Sequence, residues 1–263
     1  MGQRPADFDQ YWQDTLDTLA GYPACPEIDA LPLRTTDFAT LYGVRLTSLG
    51  PYRVFGYLSI PAGRGPFPAI YYAPKYQSVL EIIPQGTANL QRSRYITFAL
   101  AARGQRNADT PYAAMFPGLL TDGIDRATSY IFRGIVADSV RGLQFLLTRR
   151  ELDPARVVVV GNDMALITTA LQPGATHVVT APQLFHDTAE LAPRLGRTPW
   201  RRSTTICAPI PRGPRTCARR WPTTTSRPLR RARARRPWSW RERRAPCRMR
   251  RASGEWWRPC GAR

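Results

Sequence analysis

One short segment combines residue types that could carry out acyl-transfer chemistry. An apolar run, Val157 to Val160, leads into Gly161-Asn162-Asp163-Met164-Ala165 and then into the apolar sequence LITTAL. Where a strand turns sharply into a helix, one side chain is lifted above the sheet and the next backbone N–H can stabilise an oxyanion. The usual pattern of such a turn is G-x-S-x-G. Asp163 therefore stands at the nucleophile position, and Met164 supplies the following N–H.

Asp163 allows two interpretations. A carboxylate can act as a nucleophile in hydrolases, but a histidine must then activate the water of the second step. The alternative, which we favour from the sequence, is a helix N-cap whose carboxylate accepts backbone N–H bonds. The chain has two histidines. His177 lies in or beside a predicted strand and is expected to be structural, whereas His186, next to Asp187, is the better but still weak candidate for a base.

The segments around this turn alternate between strand and helix patterns. Apolar residues at helical spacing predict helices over residues 5–20, with Asp7 as the N-cap, and over 130–149 and 164–171. Asp153-Pro154 is predicted to form a turn. Apolar runs predict strands within 41–60, as a hairpin turning at Gly50-Pro51, and at 66–74, 95–101, 157–160 and 177–180. This alternation favours an α/β fold, with a mostly parallel sheet and helices on both faces.

The composition changes abruptly near Arg197. Residues 1–196 carry 17 basic and 17 acidic residues, whereas residues 197–263 carry 21 arginines and two glutamates. The whole formal net charge of +19 therefore belongs to the region 197–263. This region holds six of the seven tryptophans but only three branched aliphatic residues, Ile206, Ile210 and Leu229. With so little aliphatic area to bury, we expect disorder, and we predict a division into regions 1–196 and 197–263.

Three explanations compete for the arginine-rich region. It could be an arm that binds nucleic acid non-specifically through the phosphates, or a disordered linker, although linkers normally contain more Ser, Gly and Glu. The third explanation is translation of a GC-rich gene in the wrong frame. Back-translation with chosen GC-rich third bases, followed by removal of two bases, can give PALVVAGA from residues 235–243, which resembles an apolar strand ending in a glycine turn. The same shift can give RATLAYYDLAP from residues 217–228, and we favour the frameshift.

Several other classes of protein are excluded by composition. The chain has no run of 18 apolar residues, so we expect no membrane span. Its polar beginning, MGQRPADFDQ, has no apolar segment typical of a secretory signal, and we expect a cytoplasmic location. The five cysteines form no CxxC pair and have no histidine near them, so we expect neither a metal site nor any other cofactor.

Longer segments of the chain resemble one known family. PADFDQYWQDTL near the start, ARGQ at 102–105, GLLTDGI at 118–124, YIFRGIVADSVRGLQFL at 130–146 and ELDPARVVVVG at 151–161 occur in an order that resembles the acetyl xylan esterase / cephalosporin C deacetylase family of α/β-hydrolases. The resemblance covers roughly residues 4–190. It implies removal of acetyl groups from sugars by a Ser-His-Asp triad, and a homo-oligomer, because the family is often oligomeric. Arg103 and Asp138 lie in two of these segments and are expected to form structural hydrogen bonds rather than to catalyse.

The resemblance also implies roles for individual positions. The family's nucleophile falls on Asp163, and its oxyanion donors fall on the backbone N–H groups of Tyr76 and Met164. Where the family usually has His-Gly-Tyr, this chain has Pro74-Lys75-Tyr76. The family's acid and histidine lie further downstream, in the region that is out of frame here, and cannot be carried over. We therefore expect an esterase-like chain without competent catalysis. The alternative is a non-enzymatic protein that binds polyanions through its basic tail.

Overall fold

The fold is that of a computed structural model, which describes residues 5–75, 92–105, 109–110, 112–114, 118–182 and 185. The chain divides into two units, Met1–Ser226 and Arg227–Arg263, and every described residue belongs to the first. Tyr76, His186 and the whole arginine-rich region therefore lie outside the described residues.

Three α-helices and seven strands make up the described part of the chain. The helices are α1 (Phe8–Ala20), α2 (Ile131–Leu147) and α3 (Asp163–Leu171), and short 3-10 turns occupy Pro32–Arg34 and Leu119–Thr121. The strands are β1 (Glu27–Ala30), β2 (Ala39–Thr47), β3 (Arg53–Pro61), β4 (Phe67–Tyr72), β5 (Ile96–Ala101), β6 (Leu152–Gly161) and β7 (His177–Thr180). Each helix and strand expected from the sequence is present, whereas β1, a short and fully exposed strand, had no predicted counterpart.

The strands form one mixed sheet in the order β1-β2-β3-β5-β4-β6-β7. Strands β5, β4, β6 and β7 are mutually parallel, while β1, β2 and β3 continue the sheet through antiparallel pairs. Five of the seven described strands thus point the same way, so the predicted mostly parallel α/β sheet is confirmed. The hairpin predicted at Gly50-Pro51 joins β2 to β3, and Gly50 supplies the positive φ of 71° that the turn requires.

The three helices pack on one face of this sheet. Helix α2 contacts both α1 and α3, and the shared core contains the large buried side chains of Tyr71, Phe98, Leu143 and Leu146. Ring stacking of Tyr71 on Phe98, at 5.8 Å between centroids, lies in this layer. The connection from β4 to β5, which in a right-handed crossover would lie on the second face, is mostly outside the described residues. None of the helices in the described ranges has the length and apolar character that crossing a bilayer requires.

One local prediction is confirmed in position, and another needs correction. Asp7 occupies the N-cap position of α1, but its side chain makes no capping hydrogen bond. Asp153-Pro154 lies inside β6 rather than in a turn before it. The carboxylate of Asp153 still accepts the N–H of Ala155 at 2.9 Å, a bond typical of turns, and the pairing of β4 with β6 shifts register there. Asp153-Pro154 therefore forms an irregularity within strand β6, where its pairing with β4 shifts register, and not a separate turn.

Candidate active site

Asp163 lies where the sequence pattern places it, at the junction of β6 and α3. Strand β6 ends at Gly161, Asn162 occupies the N-cap position, and Asp163 is the first residue of α3. The junction stands at the carboxyl end of the parallel strands, which is where open α/β sheets bind their ligands. A Cβ atom on Gly161 would lie 3.3 Å from Ala73 Cβ and 3.4 Å from Ala165 Cβ. Small residues at both ends of the Gly161–Ala165 motif therefore let α3 approach the neighbouring strand closely.

The backbone at Asp163 has no left-handed conformation. Among the described residues other than glycine, Cys25 is the one with positive φ, so Asp163 begins α3 with ordinary helical geometry. A nucleophile elbow is a strained turn that exposes its central side chain. The chain therefore has the strand-to-helix turn of an elbow without a left-handed residue at the nucleophile position.

The carboxylate of Asp163 is buried and engaged by the segment that follows β7. Its exposure is 7%, and Oδ1 accepts the backbone N–H of Phe185 at 3.1 Å. The ring of Phe185 is also buried and packs edge-on against Phe132 of α2, with 4.9 Å between centroids. The N-cap role favoured from the sequence is wrong in position, because Asn162 precedes the helix. The expected chemistry of a carboxylate accepting a backbone N–H is nevertheless present, with a donor from a distant segment.

The family resemblance implies two backbone oxyanion donors, of which Met164 lies among the described residues and Tyr76 does not. Met164 is the second residue of α3, so its N–H belongs to the first turn, whose N–H groups have no acceptor within the helix. Tyr76 lies outside the described residues, but the backbone that leads to it leaves β4 beside the end of β6. The N–H of Ala73 donates to the carbonyl of Val160 at 2.9 Å. The described residues that follow β4, residues 73–75, thus begin next to the turn carrying Asp163.

The two histidines have different positions. His177 is the exposed first residue of β7, pairs with Val158 in the sheet, and has its Nδ1 3.0 Å from the hydroxyl of Thr176. This position near the start of the strand fits the structural role expected for it. His186 lies outside the described residues, immediately after Phe185. In the described part of the chain, no group of three or more His, Cys, Asp or Glu residues could hold a metal ion.

A buried ion pair fixes the loop after β5 to helix α2. The carboxylate of Asp138 is fully buried. Its Oδ2 accepts the backbone N–H of Arg103 at 3.0 Å and the Nε–H of the same residue at 2.8 Å. Its Oδ1 accepts the Nη2–H of Arg103 at 2.7 Å. Nη2 also donates to the carbonyl of Leu49 at 2.9 Å. Burial lowers the pKa of Arg103, but the charge and hydrogen bonds of Asp138 raise it above its ordinary value. The structural hydrogen bonds expected for these two residues are present, and they join each other.

A second buried network, which no pattern in the sequence predicted, connects α2, α3 and β4. The hydroxyls of Ser139 and Thr168, both fully buried, lie 2.6 Å apart. The hydroxyl of Tyr71 donates to the carbonyl of Ser139 at 2.9 Å, and burial raises the pKa of Tyr71 although the bond to Ser139 lowers it. This network holds α3, and with it Asp163, against the centre of the sheet. Short hydroxyl side chains within apolar helices are common, so the sequence carried no signal that would have singled these out.

Comparisons with known proteins agree with this geometry. The profile of the acetyl xylan esterase (AXE1) family matches residues 1–187. The acetyl esterase Axe7A of Xylanibacter ruminicola is 23% identical over 199 residues, covering 71% of this chain and 45% of that protein. This chain thus spans less than half the length of that curated relative.

Two solved structures have the same fold. Acetyl xylan esterase 1 from Thermoanaerobacterium sp. JW/SL YS485 aligns with a TM-score of 0.72 at 20% identity, over 83% of this chain and 73% of its own. The acetyl xylan esterase from Paenibacillus sp. R4 aligns with a TM-score of 0.69 at 18% identity, over 84% of this chain and 74% of its own. The α/β-hydrolase fold expected from the resemblance is confirmed. Because the family profile matches well over half of the sequence, the chain belongs to the acetyl xylan esterase (AXE1) family.

Proposed function

We propose that the chain is built for carboxylic-ester hydrolysis, with acetyl groups on carbohydrates as the class of substrate. The family match carries this proposal, and the position of Asp163 and Met164 at the β6–α3 turn supports it. An ester carbonyl placed above this turn would direct its oxygen toward the first N–H groups of α3. The homo-oligomeric state and the cytoplasmic location remain predictions, the first from the family resemblance and the second from the sequence.

We further propose that the chain as it stands does not turn over esters. Nucleophilic attack needs an accessible side-chain oxygen, whereas the Asp163 carboxylate is buried and accepts the N–H of Phe185. Attack by a carboxylate on an ester would also form an anhydride, and its hydrolysis needs a base to activate water. The family's histidine falls in the part of the chain that we assign to the wrong frame. Backbone oxyanion donors alone give far less acceleration than an intact triad.

The decisive assay is steady-state hydrolysis of 4-nitrophenyl acetate by the full chain. We expect its rate to equal that of the Asp163→Ala and His186→Ala variants, with no more than the acceleration that backbone oxyanion donors alone provide. We expect a frame-corrected chain carrying Asp163→Ser to gain at least about 10³-fold, since triad members contribute on this scale. The frame-corrected chain with Asp163 retained is the matched control.

Two outcomes would contradict the proposals separately. Robust turnover by the present chain that disappears in His186→Ala would identify a working enzyme with His186 as its base. A folded, frame-corrected Asp163→Ser chain without esterase activity would overturn the assignment to ester hydrolysis.

A second candidate function, binding of polyanions, is favoured by the charge distribution. Residues 197–263 carry 21 arginines against two glutamates, and arginines release counterions when they contact phosphates. We expect binding to duplex DNA of unrelated sequences with equal affinity, falling steeply with salt. Fluorescence anisotropy at several salt concentrations measures this. A preference for one sequence of more than about tenfold would contradict purely electrostatic binding.

A further inference from the structure

Arg92, which lies just before β5, is an arginine that the fold buries without a counter-charge. The residue is 2% exposed, and its Nε–H donates to the hydroxyl of Ser59 at 2.8 Å. Its two terminal nitrogens, Nη1 and Nη2, are buried and have no hydrogen-bond partner. Burial lowers the pKa of Arg92, and no carboxylate in the described part of the chain opposes this effect. Because an arginine nevertheless stays charged in a protein, an unpaired guanidinium at this depth is costly.

The sheet beneath Arg92 presents two hydroxyl groups on the face opposite the three helices. Ser59 of β3 pairs in register with Thr97 of β5, so both side chains point to the same face. The alternate residues Leu58 and Phe98 belong to the core that the helices cover, which places the two hydroxyls on the other side. The Ser59 oxygen accepts the Nε–H of Arg92, so its own hydrogen is left to donate. The hydroxyl of Thr97, a residue that is 7% exposed, can donate as well.

A second arginine, Arg34, approaches the same face from the 3-10 turn before β2. Its guanidinium carbon lies 5.5 Å from the ring centroid of Tyr57. Tyr57 and Ser59 are two residues apart on β3, so the two arginines contact positions about 7 Å apart on one face. Arg34 is half-buried, but its Nη1 is buried and has no hydrogen-bond partner. Together with Nη1 and Nη2 of Arg92, three guanidinium nitrogens on this face are thus left unpaired.

We propose that this face of the sheet binds a phosphate group, of inorganic phosphate or of a small phosphate monoester, through four side chains: Arg34, Ser59, Arg92 and Thr97. Guanidinium nitrogens pair with phosphate oxygens in a bidentate manner, and the two hydroxyls supply further donors. Above about pH 7 a phosphate group carries nearly two negative charges and balances both arginines, whereas a carboxylate balances one. A bound phosphate would give the buried guanidinium of Arg92 the counter-charge that it lacks. Because Arg34 is half-buried, solvent reaches the site from its side.

Isothermal titration calorimetry of the full chain with inorganic phosphate measures this binding. Arg92→Met removes the buried charge and keeps most of the side-chain volume, and Arg94→Met is the matched control, because Arg94 is an exposed arginine two residues away. All these chains keep the 21 arginines of residues 197–263, so non-specific binding there is the same in each. We expect Arg92→Met to weaken phosphate binding at least about tenfold and Arg94→Met to change it less than about twofold. Equal binding by the two variants would overturn the proposal.

Urea denaturation distinguishes a ligand site from an arginine with a purely structural role. In phosphate-free buffer of equal ionic strength, Arg92→Met should have a urea midpoint at or above that of the unchanged chain, because it removes an unpaired buried charge. Added phosphate should raise the midpoints of the unchanged chain and of Arg94→Met more than that of Arg92→Met. The rise that all three chains share is the general effect of phosphate on folded proteins. An Arg92→Met variant that is destabilised equally with and without phosphate would refute the site.

Two further comparisons identify the ligand and provide for an Arg92→Met variant that does not fold. Arg34→Met changes a half-buried side chain in a short turn and should weaken phosphate binding at least about fivefold; unchanged binding would contradict the proposed site. Methyl phosphate that binds as tightly as inorganic phosphate would assign the site to monoesters, and binding of inorganic phosphate alone would assign it to the free ion. Acetate that binds as tightly as phosphate would overturn the assignment to phosphate. None of these measurements uses esterase activity, so their outcome is independent of the proposed function.

Discussion

Replacement of Asp138 by alanine should destabilise the fold severely, because it leaves a buried guanidinium without its counter-charge. Three of the four hydrogen bonds described for Arg103 end on this carboxylate, at 2.7–3.0 Å. The side chain of Arg103 is 12% exposed and that of Asp138 is 0% exposed, so water cannot replace the lost partner. Breaking a buried ion pair by removing one partner costs about 3–5 kcal/mol. That loss is a large share of the roughly 5–15 kcal/mol by which domains are stable.

Urea denaturation followed by far-UV circular dichroism measures this loss. Tryptophan fluorescence is unsuitable, because six of the seven tryptophans lie in the arginine-rich region. With a slope of about 2 kcal/mol per molar urea, we expect Asp138→Ala to lower the midpoint by about 1.5–2.5 M. The matched control is Asp125→Ala, which removes an exposed carboxylate 3.7 Å from Arg126 and should cost no more than about 0.5 kcal/mol.

A double substitution separates the ion pair from the space that it fills. Replacing Arg103 by methionine and Asp138 by leucine removes both charges while keeping most of the volume. Buried ion pairs replaced in this way are often neutral in stability. The double variant should therefore recover part of the loss seen in Asp138→Ala, while the backbone N–H at position 103 still lacks its acceptor. If Asp138→Ala falls within about 1 kcal/mol of the Asp125→Ala control, the buried charge is not the source of stability that we infer.

Two further predictions concern the packing of α2 and the alkaline limit of stability. Gly142→Ala should lower the free energy of unfolding, measured in urea, by about 1–3 kcal/mol, although alanine favours helices. The reason is that its Cβ would lie 2.5 Å from the Tyr71 hydroxyl and 2.8 Å from Leu100. A stabilised variant would contradict this close approach. Burial, only partly opposed by the Arg133 charge, raises the pKa of Tyr11 to about 12. As pH rises, Tyr11 therefore ionises in the unfolded chain before it does so in the folded chain. The free energy of unfolding should fall by up to about 2 kcal/mol between pH 10 and pH 12. Tyr11→Phe should flatten this alkaline decline in the free energy of unfolding, and an unchanged slope would show that other groups cause it.

The elements of the fold could be predicted because each has a repeating pattern of its own. Helix α2 was expected over 130–149 and extends over Ile131–Leu147, since its apolar residues recur at helical spacing. Strand β5 consists of six buried residues and stood out as an apolar run. Strand β1 has four exposed residues and no such pattern, and it forms because β2 offers it an antiparallel partner. Its presence depends on a distant segment, which local sequence cannot reveal.

The sequence predicted the strand-to-helix turn of the candidate site but not the hydrogen bonds that its side chains make. The spacing of Gly161, Asp163 and Ala165 after an apolar run identified the strand-to-helix turn, because tight turns of this kind need small residues around them. The bond from the Phe185 N–H to Asp163 joins residues 22 positions apart and depends on how the chain returns after β7. The hydroxyl pair of Ser139 and Thr168 depends in the same way on how α2 and α3 meet.

A structural role and a catalytic role would make opposite demands on the carboxylate of Asp163. A nucleophile must face an open site and must not be held by hydrogen bonds that lower its reactivity. Asp163 is instead 7% exposed, and its Oδ1 accepts the backbone N–H of Phe185, whose ring packs against that of Phe132. A negative charge is also favourable in the first turn of α3, where the helix dipole is positive. These features are the ones that, in our proposal, keep Asp163 from ester chemistry. The N–H groups in the first turn of α3 do not depend on which side chain position 163 carries.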